Sequence, residues 1–364
     1  MDFYYKQPVE IIFGNGKLSL LPELLGGARS PLIVTAPFFL EKGPVKELAE
    51  RLSGGTYTQV SENPDVSEVN ECSRLIREDG FDIIIAVGGG SVMDLAKAAS
   101  VRVEDIREYH GTGKPVPLED RLPLIAVPTT AGTGSEVTCV SVLTERETGK
   151  KCPIVSDGFF PKLALIDPEL TVSMPPHITA CTGIDVLCHS IEGYWSRGHQ
   201  PICDELAVHA AKTVFKWLPK AYSQPEDLQA REKMAEASMF AGLAFSLPKT
   251  TASHACSFPL TSIYGIPHGE ACGLTLDLFA RVNREDPRTA VLAERLGFGS
   301  VEELADQILA LKKLLCLRIS IADLISSDQQ INELVQKSHH PNLQNNPVQI
   351  TDRILYSIYD QLRK

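Results

Sequence analysis

The sequence predicts two folded parts, an α/β domain built on a parallel sheet over residues 1–175 and an all-α helical bundle over residues 176–364. Two observations lead to this fold class. Up to about residue 175, short β-branched runs alternate with helical segments, as in parallel sheets that are covered by helices on both faces. After "MPP" at 174–176, the apolar residues recur with a helical period almost throughout, which is typical of a helix bundle.

The elements follow in order along the chain. Nearly continuous apolar runs predict buried strands at 31–36 ("PLIVTA"), 82–89 ("DIIIAVGG"), 122–130 ("LPLIAVPTT") and 163–167 ("LALID"). Helical periodicity predicts helices at 43–52 and 66–79, and in the second half at 176–196, 201–219, 227–245, 299–314 and 350–362.

Composition and charge exclude several classes of protein. With 43% hydrophobic and 22% charged residues the chain has ample material for buried cores. A net charge of −11, without a run of Lys and Arg, argues against nucleic acid as a partner. No signal peptide and no run of membrane-spanning length is seen, and the nine cysteines form no C-x-x-C pair. We therefore expect a cytoplasmic protein with reduced thiols and no membrane partner.

The first chemical signal is a glycine-rich turn between a strand and a helix. In "DIIIAVGGGSVMDLAKAAS" (82–100), the strand runs into Gly88, Gly89, Gly90 and Ser91, and Asp94 lies in the first turns of the helix. Glycines at a helix N-terminus let the backbone N–H groups approach a diphosphate closely. The motif is, however, neither G-x-G-x-x-G nor a P-loop. A tight turn without a ligand is the alternative.

A second loop carries hydroxyl groups among glycines. The stretch "VPTTAGTGSEVT" (127–138) places Thr129, Thr130, Thr133 and Ser135 directly after a strand. Hydroxyls and backbone amides there suit the phosphates and riboses of a nucleotide. Because the loops after parallel strands converge at one edge of the sheet, the two loops together predict a dinucleotide-binding domain.

A third signal lies in the helical half. In "GIDVLCHSIE" (183–192), Asp185 and His189 stand four residues apart, so both side chains share one face of a helix. His254 and His268 follow in "KTTASHACSFPLTSIYGIPHGEA" (249–271). One carboxylate and three imidazoles on facing helices predict a metal site, and this donor set favours Zn(II) or Fe(II) over Mg(II) or Ca(II). Cys188 and Cys256 are weaker candidates, because neighbours on a helix point about 100° apart.

These motifs resemble the iron-containing (group III) alcohol dehydrogenases over nearly the whole chain. Besides the stretches quoted above, the resemblance rests on "IIFGNG", "ENPD", "PKLALIDPELTVSMPP" and "NPVQIT". It implies that Asp185, His189, His254 and His268 hold one divalent metal, Fe(II) or Zn(II). It also implies that the "GGGS" loop holds the diphosphate, that the "PTTAGTGS" loop holds the nicotinamide half, and that Lys151 approaches the cofactor ribose.

The implied reaction is hydride transfer between NAD(P)H and a small aldehyde whose carbonyl oxygen is polarised by the metal acting as a Lewis acid. We expect a small-molecule substrate and a homo-oligomer, a dimer or larger. Two rival functions belong to other classes: a lyase similar to dehydroquinate synthase, and a non-catalytic nucleotide-sensing protein. Asp185 and the "PTTAGTGSEVT" loop favour the dehydrogenase over both.

The chain departs from the family pattern at two positions. Relatives commonly carry a histidine four residues after the third ligand, where this chain has Phe258, so a water, a ribose hydroxyl or Thr250 is expected to relay the proton. At the cofactor's adenosine end, Thr35 and Ala36 close a strand where NAD-preferring relatives often have an acidic residue for the ribose 2′-hydroxyl. NAD(H) and NADP(H) therefore both remain possible cofactors.

The segment before the third ligand suggests the substrate. In "SLPKTTASH" (246–254), Lys249, Thr250 and Thr251 stand where relatives have small apolar residues and glycine, and Arg197 and His199 add donors in "SRGHQP". This stretch looks similar to the family branch that reduces sulfoacetaldehyde or phosphonoacetaldehyde, which are anionic two-carbon aldehydes. The alternatives are a solvated lysine with helix-capping threonines, and a broad small-alcohol dehydrogenase.

Overall fold

Residues 2–52 and 54–364 are described in a computed structural model of the chain. They divide into two units. A sheet unit consists of Lys6–Thr130 and Gly134–Thr171, and a helical unit consists of Ala131–Thr133, Val172–Lys364 and the N-terminal residues through Tyr5. The predicted fold class, a parallel sheet followed by a helical domain, is confirmed.

The sheet unit contains all the strands of the described residues. They are β1 (Glu10–Phe13), β2 (Pro31–Thr35), β3 (Gly55–Tyr57), β4 (Ile83–Gly88), β5 (Leu124–Pro128), β6 (Val140–Glu145), β7 (Lys150–Val155) and β8 (Leu163–Ile166). Six of them form a parallel sheet in the order β1-β8-β5-β4-β2-β3. β6 and β7 pair separately as an antiparallel hairpin.

Strand β4 shows why the runs are apolar without alternation. Its residues Ile83, Ile85 and Val87 lie in one hydrophobic core, whereas Ile84 and Ala86 lie in another. Successive side chains of a strand point to opposite faces, so both faces of the sheet are buried. The four helices of this unit are α1 (Leu21–Leu24), α2 (Pro44–Arg51), α3 (Val66–Asp79) and α4 (Gly90–Ser100).

Helix α3 has the bounds that the sequence predicts, because both ends carry strong local signals. Asp65 accepts a hydrogen bond from the backbone of Ser67, and Glu68 reaches back to the backbone of Asp65, which makes a capping box. Gly80 ends the helix in the left-handed conformation with φ of 70°.

The helical unit follows in one continuous run of helices. They are α5 (Pro176–Trp195), α6 (Pro201–Ser223), α7 (Leu228–Phe245), α8 (Ala252–Tyr264), α9 (His268–Val282), α10 (Pro287–Leu296), α11 (Val301–Leu314), α12 (Asp328–Lys337) and α13 (Asp352–Arg363). One hydrophobic core runs through them, and α5 is buried along almost its whole length from Thr179 to Trp195. A helix buried on every side can hold functional groups only in the protein interior.

The predicted strands and helices are each found within a few residues of their expected ends. The sequence reasoning missed β1 and β3, which are short edge strands, and the hairpin β6–β7, whose residues are only partly buried. It also missed α1, α9, α10 and α12, and it gave no bounds for α8. Among the helices of the described residues, none has the length and apolar character needed to cross a membrane.

Candidate metal centre and nucleotide loops

Helix α5 presents Asp185 and His189 to one buried spot, as their four-residue spacing predicts. Both side chains are almost completely buried, and Nε2 of His189 lies 3.9 Å from Oδ1 of Asp185. The imidazole of His189 stacks on the ring of Phe245, with the ring centres 4.1 Å apart. This stacking fixes the plane of the histidine ring.

His254 on α8 and His268 at the start of α9 reach the same spot. Nε2 of His254 lies 3.7 Å from Oδ1 of Asp185. The ring centre of His254 is 4.8 Å from that of His189 and 5.5 Å from that of His268. The structure therefore gathers all four residues that the sequence marks as metal ligands, from three different helices.

Gly269 allows α9 to approach α5 closely enough for this arrangement. A Cβ atom at position 269 would lie 2.0 Å from the carbonyl oxygen of Cys181 and 2.9 Å from Cβ of Asp185. Any side chain there would push His268 away from Asp185. The glycine in "IPHG" is thus explained by packing.

Glu192, one helical turn beyond His189, is a site residue that the sequence reasoning missed. Its side chain is completely buried, and its Oε2 contacts Nδ1 of His254. Its other oxygen, Oε1, accepts hydrogen bonds from the hydroxyl of Thr251 at 2.6 Å and from the backbone of Ser253 at 2.8 Å. A carboxylate on Nδ1 leaves Nε2 of His254 as the atom that can bind a metal. The signal was available, since Glu192 lies seven residues after Asp185 on the same face of α5.

The protonation of the histidines reflects these neighbours. Burial, together with the charges of His254 and His268, holds the pKa of His189 well below its ordinary value, so this imidazole is neutral and can act as a ligand. Burial acts to lower the pKa of His254 as well, but the carboxylates of Glu192 and Asp185 outweigh it and the pKa is raised. Two buried carboxylates beside three histidines form an electrostatic environment that suits a divalent cation.

The residues present fit a metal ion. Nε2 of His254 is buried and has no hydrogen-bond partner among the described residues, although Asp185 lies 3.7 Å away. That separation is too long for a hydrogen bond and close to the roughly 3.4 Å between two ligands of a tetrahedral zinc ion. Sγ of Cys272 lies 3.8 Å from Nε2 of His268. Ligand atoms of Asp185, His254, His268 and Cys272 all lie within 4.8 Å of one another. Among the described residues, His189, Cys188 and Cys256 do not belong to that group.

Most of the predicted nucleotide-binding residues follow the carboxyl ends of three neighbouring strands of the sheet. β4 lies between β2 and β5, and the register pairs Thr35 with Val87 and Gly88 with Pro128. The carboxyl ends of these strands lead into Ala36, into the turn Gly88–Gly89–Gly90–Ser91 and into Thr129 and Thr130. Gly88 is required by the tight turn, because a Cβ atom there would lie 2.5 Å from Val92.

Several residues of this set hold the loops in place. Asp94 accepts hydrogen bonds from the hydroxyl of Ser135 at 3.2 Å and from the backbone of Val142 at 3.1 Å. Lys97, which is fully buried, donates to the same Ser135 hydroxyl at 2.7 Å. Thr35 donates its hydroxyl hydrogen to the carbonyl oxygen of Val87 at 2.7 Å. Asp94, Ser135 and Thr35 thus form contacts within the protein that shape the predicted nucleotide-binding loops.

Lys151 is joined to the same set of residues through Asn63. Its ammonium donates to Oδ1 of Asn63 at 2.6 Å, and the backbone of Asn63 donates to the hydroxyl of Ser91 at 3.2 Å. Asn63 has a left-handed φ of 55° in the "ENPD" turn. The turn therefore joins Lys151 to the glycine-rich loop. The remaining residue of the set, Thr133, falls in the segment Ala131–Thr133, which belongs to the helical unit.

Three of the residues predicted on the substrate side form hydrogen bonds within the helical unit. The hydroxyl of Thr251 donates to Glu192 and accepts from the indole of Trp195 at 2.9 Å, and the residue is fully buried. Arg197 donates to the carbonyl oxygen of Asn346 at 2.9 Å, and His199 lies 3.0 Å from a carboxylate oxygen of Asp204. These contacts engage the polar groups of the three residues within the helical unit, and their role at the substrate stays a prediction.

Lys249 and Thr250 lie in the turn between α7 and α8, directly before the helix that carries His254. Lys249 is partly buried and has a left-handed φ of 67°, a conformation that costs a side-chain-bearing residue roughly 1 kcal/mol or more. Its ammonium donates to the carbonyl oxygen of Ser246 at 2.7 Å. The hydroxyl of Thr250 accepts a hydrogen bond from the side chain of Asn342 at 2.9 Å, which joins this turn to the segment before α13.

His340 is a second residue that the sequence reasoning missed. Its ring lies against Phe258 with the centres 4.8 Å apart, and Phe258 in turn lies against His268 at 6.4 Å. Nδ1 of His340 accepts a hydrogen bond from the backbone of Asn342 at 3.2 Å, so the neutral ring carries its hydrogen on Nε2. Burial, with a smaller effect from His254, lowers the pKa of His340. The neutral ring of His340, with its N–H donor, therefore lies beside Phe258, the position where relatives commonly carry a histidine.

Family models match both halves of the chain. Residues 8–168 match "Iron-containing alcohol dehydrogenase", and residues 179–362 match "Fe-containing alcohol dehydrogenase family, C-terminal". This chain belongs to the iron-containing alcohol dehydrogenase family. The prediction from the motifs is confirmed, and the protein is an oxidoreductase. The family match leaves the lyase and the non-catalytic nucleotide sensor without support.

Individual relatives of the dehydrogenase differ in substrate. The chain is 53% identical to a sulfoacetaldehyde reductase from Bifidobacterium kashiwanohense, solved in complex with NAD+, with a TM-score of 0.97 over 100% of this chain and 99% of the other. It is 40% identical to choline dehydrogenase of Bacillus subtilis over 73% of this chain and 69% of the relative. It is 34% identical to alcohol dehydrogenase 4 of Schizosaccharomyces pombe over 85% and 76%.

Proposed function

We propose that this dehydrogenase reduces sulfoacetaldehyde, or a closely similar anionic two-carbon aldehyde, to the corresponding alcohol with NADH. The observation that carries the proposal is the 53% identity, over the full length of the chain, to a sulfoacetaldehyde reductase. The two other relatives described above have 34% to 40% identity over shorter parts of the chain. In the reaction, the aldehyde carbon gains a hydride from NADH, the oxygen gains a proton, and NAD+ is released.

NADH is proposed because the same relative was solved with NAD+. Ala36 supplies no carboxylate against a 2′-phosphate, so discrimination against NADPH is expected to be weak. Gly88–Ser91 and the N-terminus of α4 are proposed to hold the diphosphate. Among the described residues no side chain caps this helix, so its first backbone N–H groups are available to an anion.

Asp185, His189, His254 and His268 are proposed to hold the divalent metal, Fe(II) or Zn(II). When bound, the metal supplies Lewis-acid polarisation of the substrate carbonyl. The residues of the chain do the rest: Glu192 holds the ring of His254 in place and keeps its Nε2 available, Phe245 orients His189, and Gly269 allows His268 to reach the site. Cys272 is close enough to take part.

The anion is proposed to bind beside Lys249 and His340. Lys249 is held in a backbone conformation that favours glycine, and such strain often marks a functional position. His340 offers a hydrogen-bond donor near His254, and Thr250 is joined to Asn342 in the same segment as His340. A sulfonate has three acceptor oxygens, so a cation and neutral donors suit it.

A metal-dependence assay tests the proposal. The purified protein is depleted of metal with a chelator and reloaded with Fe(II) or Zn(II), and NADH oxidation with sulfoacetaldehyde is followed together with formation of the alcohol. We expect activity only after reloading, and a loss of several orders of magnitude of both bound metal and turnover in His254→Ala. His209→Ala serves as the matched control, because His209 is a surface histidine that pairs with Glu236. Full activity of metal-free His254→Ala protein would refute the metal assignment, and no alcohol from sulfoacetaldehyde in the reloaded parent would refute the substrate.

A further inference from the structure

A second group of metal-binding side chains lies at the beginnings of α5 and α9. It consists of His177, Cys181 and Glu270. Sγ of Cys181 lies 3.5 Å from Nε2 of His177, and Oε2 of Glu270 lies 4.0 Å from the same nitrogen. Ligand atoms of the three residues all lie within 4.8 Å of one another. No residue of this group belongs to the quartet at Asp185.

The position of the group follows from helix geometry. His177, Cys181, Asp185 and His189 succeed one another at intervals of four residues, so they form one stripe along α5. The second half of the stripe serves the first metal centre, and the first half lies nearer the N-terminus of the helix. Because Gly269 brings α9 against Cys181, the next residue of α9, Glu270, is placed beside this first half.

Glu270 is held in an orientation that suits a ligand. Its Oε1 accepts a hydrogen bond from the backbone of Arg318 at 2.7 Å, while its Oε2 faces His177. The carboxylate is largely buried, with 10% of its side chain exposed. A backbone donor on the non-coordinating oxygen is the kind of support that orients carboxylate ligands of metals.

The group is open to solvent on one side. The side chain of His177 is 56% exposed, and His177 and Glu270 line a cavity of about 600 Å³ together with Tyr264, Cys316 and Arg318. An ion can therefore enter without unfolding of the helices. The cavity also leaves room for water to complete the coordination.

We propose that His177, Cys181 and Glu270 form a second metal site, which binds a Zn²⁺-class ion with water in the fourth position. One nitrogen, one sulfur and one oxygen are borderline ligands, which favour zinc over Mg²⁺ and Ca²⁺. On binding, the sulfur–metal bond forms, the S–H bond of Cys181 breaks, and its proton passes to solvent. The site joins the beginning of α5 to that of α9 and is independent of the proposed substrate.

The test counts metal in the intact enzyme. The holoenzyme, with Zn(II) loaded at the first centre, is incubated with Zn²⁺, desalted and analysed for metal content. In parallel it is titrated with Co²⁺ and observed in the near ultraviolet for thiolate-to-cobalt absorption. We expect two equivalents of zinc and a thiolate signal in the parent. His177→Asn and Cys181→Ser should each lose the second equivalent, with at least a tenfold loss of Co²⁺ affinity, and keep the first.

Cys272→Ser is the matched control, because Cys272 lies beside the first centre and would otherwise be a second source of thiolate absorption. It should keep the thiolate signal of the second site. Since His177 is exposed, His177→Asn is expected to fold even if Cys181→Ser does not. The proposal is overturned if the parent binds one equivalent only, if His177→Asn retains both, or if the thiolate signal disappears in Cys272→Ser alone.

Discussion

The carboxylate of Glu192 contacts Nδ1 of His254, and both side chains are buried in the helical unit. This pair decides which nitrogen of His254 faces Asp185, and so it connects the packing of α5 against α8 to the chemistry of the metal centre. The first prediction follows from it. Glu192→Gln removes the negative charge, and we expect metal affinity to fall by about 10- to 100-fold, as for other partners of metal-bound histidines.

Metal retention during titration with a chelator measures this effect. The matched control is Glu236→Gln, which changes the carboxylate of an exposed pair, with Oε1 of Glu236 2.8 Å from Nε2 of His209. The control should retain metal like the parent. Equal retention in Glu192→Gln and Glu236→Gln would show that Glu192 does not act on the metal.

The second prediction concerns Ala36, which lies just beyond the carboxyl end of β2. Ala36→Asp places a carboxylate where we expect the adenosine ribose, and like charges repel a 2′-phosphate. The ratio of kcat/KM for NADH to that for NADPH should rise about tenfold or more, which corresponds to roughly 1.4 kcal/mol. KM for the aldehyde should stay the same. An unchanged ratio would place the adenosine pocket elsewhere.

The third prediction concerns Glu136, a buried carboxyl of the sheet unit. Burial raises its pKa to about 7, although the positive charge of Lys97 lowers the pKa by a smaller amount. Because the pKa of this carboxyl is higher in the folded state than the value near 4.5 in the unfolded state, the protonated group stabilises the fold. This stabilisation is complete below pH 4.5 and is lost as the pH rises through about 7. The contribution is at most about 3 kcal/mol.

Glu136→Gln should therefore lose less stability than the parent between pH 5 and about 7.5. Thermal unfolding of parent and variant across this range, without cofactor, measures the difference. Glu147→Gln changes an exposed glutamate and should follow the parent. Parallel curves for the parent and Glu136→Gln would contradict the prediction.

The fourth prediction concerns His340. His340→Leu removes a hydrogen-bond donor that we place beside the substrate anion, so KM for sulfoacetaldehyde should rise about ten- to a hundredfold, from a contact of roughly 1.5–3 kcal/mol. KM for propionaldehyde should change little, and His340→Gln, which keeps a donor, should recover part of the loss. The neighbouring His339 is exposed and lies 2.8 Å from Asp352, so His339→Leu is the control. A rise in KM that is equal for both aldehydes would refute the contact.

The sequence predicted most of the features that depend on residues close together along the chain. The four-residue spacing of Asp185 and His189 placed both on one face of α5, and the capping residues of α3 set both of its ends. Contacts between distant segments were harder to predict. His340 lies near His254 only because the segment before α13 packs there, and no local pattern marks it.

The roles of polar residues beside a predicted metal ligand could not be decided from the sequence either. Thr251 stands directly before α8 and near His254, which suggested a substrate donor, yet its hydroxyl bonds to Glu192 and Trp195. The sequence pattern shows that a hydroxyl is present but not which group it contacts. For the same reason the roles of Asp94 and Ser135 in shaping their own loops became visible only in the structure.

Lys249 provides the most direct test of the substrate assignment. The ratio of kcat/KM for sulfoacetaldehyde to that for propionaldehyde is measured with NADH in the parent and in Lys249→Met, which keeps the length of the side chain and removes its charge. We predict that the parent prefers the anionic aldehyde and that Lys249→Met reduces this preference by about ten- to a hundredfold, because a charge-assisted contact of roughly 1.5–3 kcal/mol is lost. A parent without preference for sulfoacetaldehyde, or a preference that Lys249→Met leaves unchanged, would contradict the account.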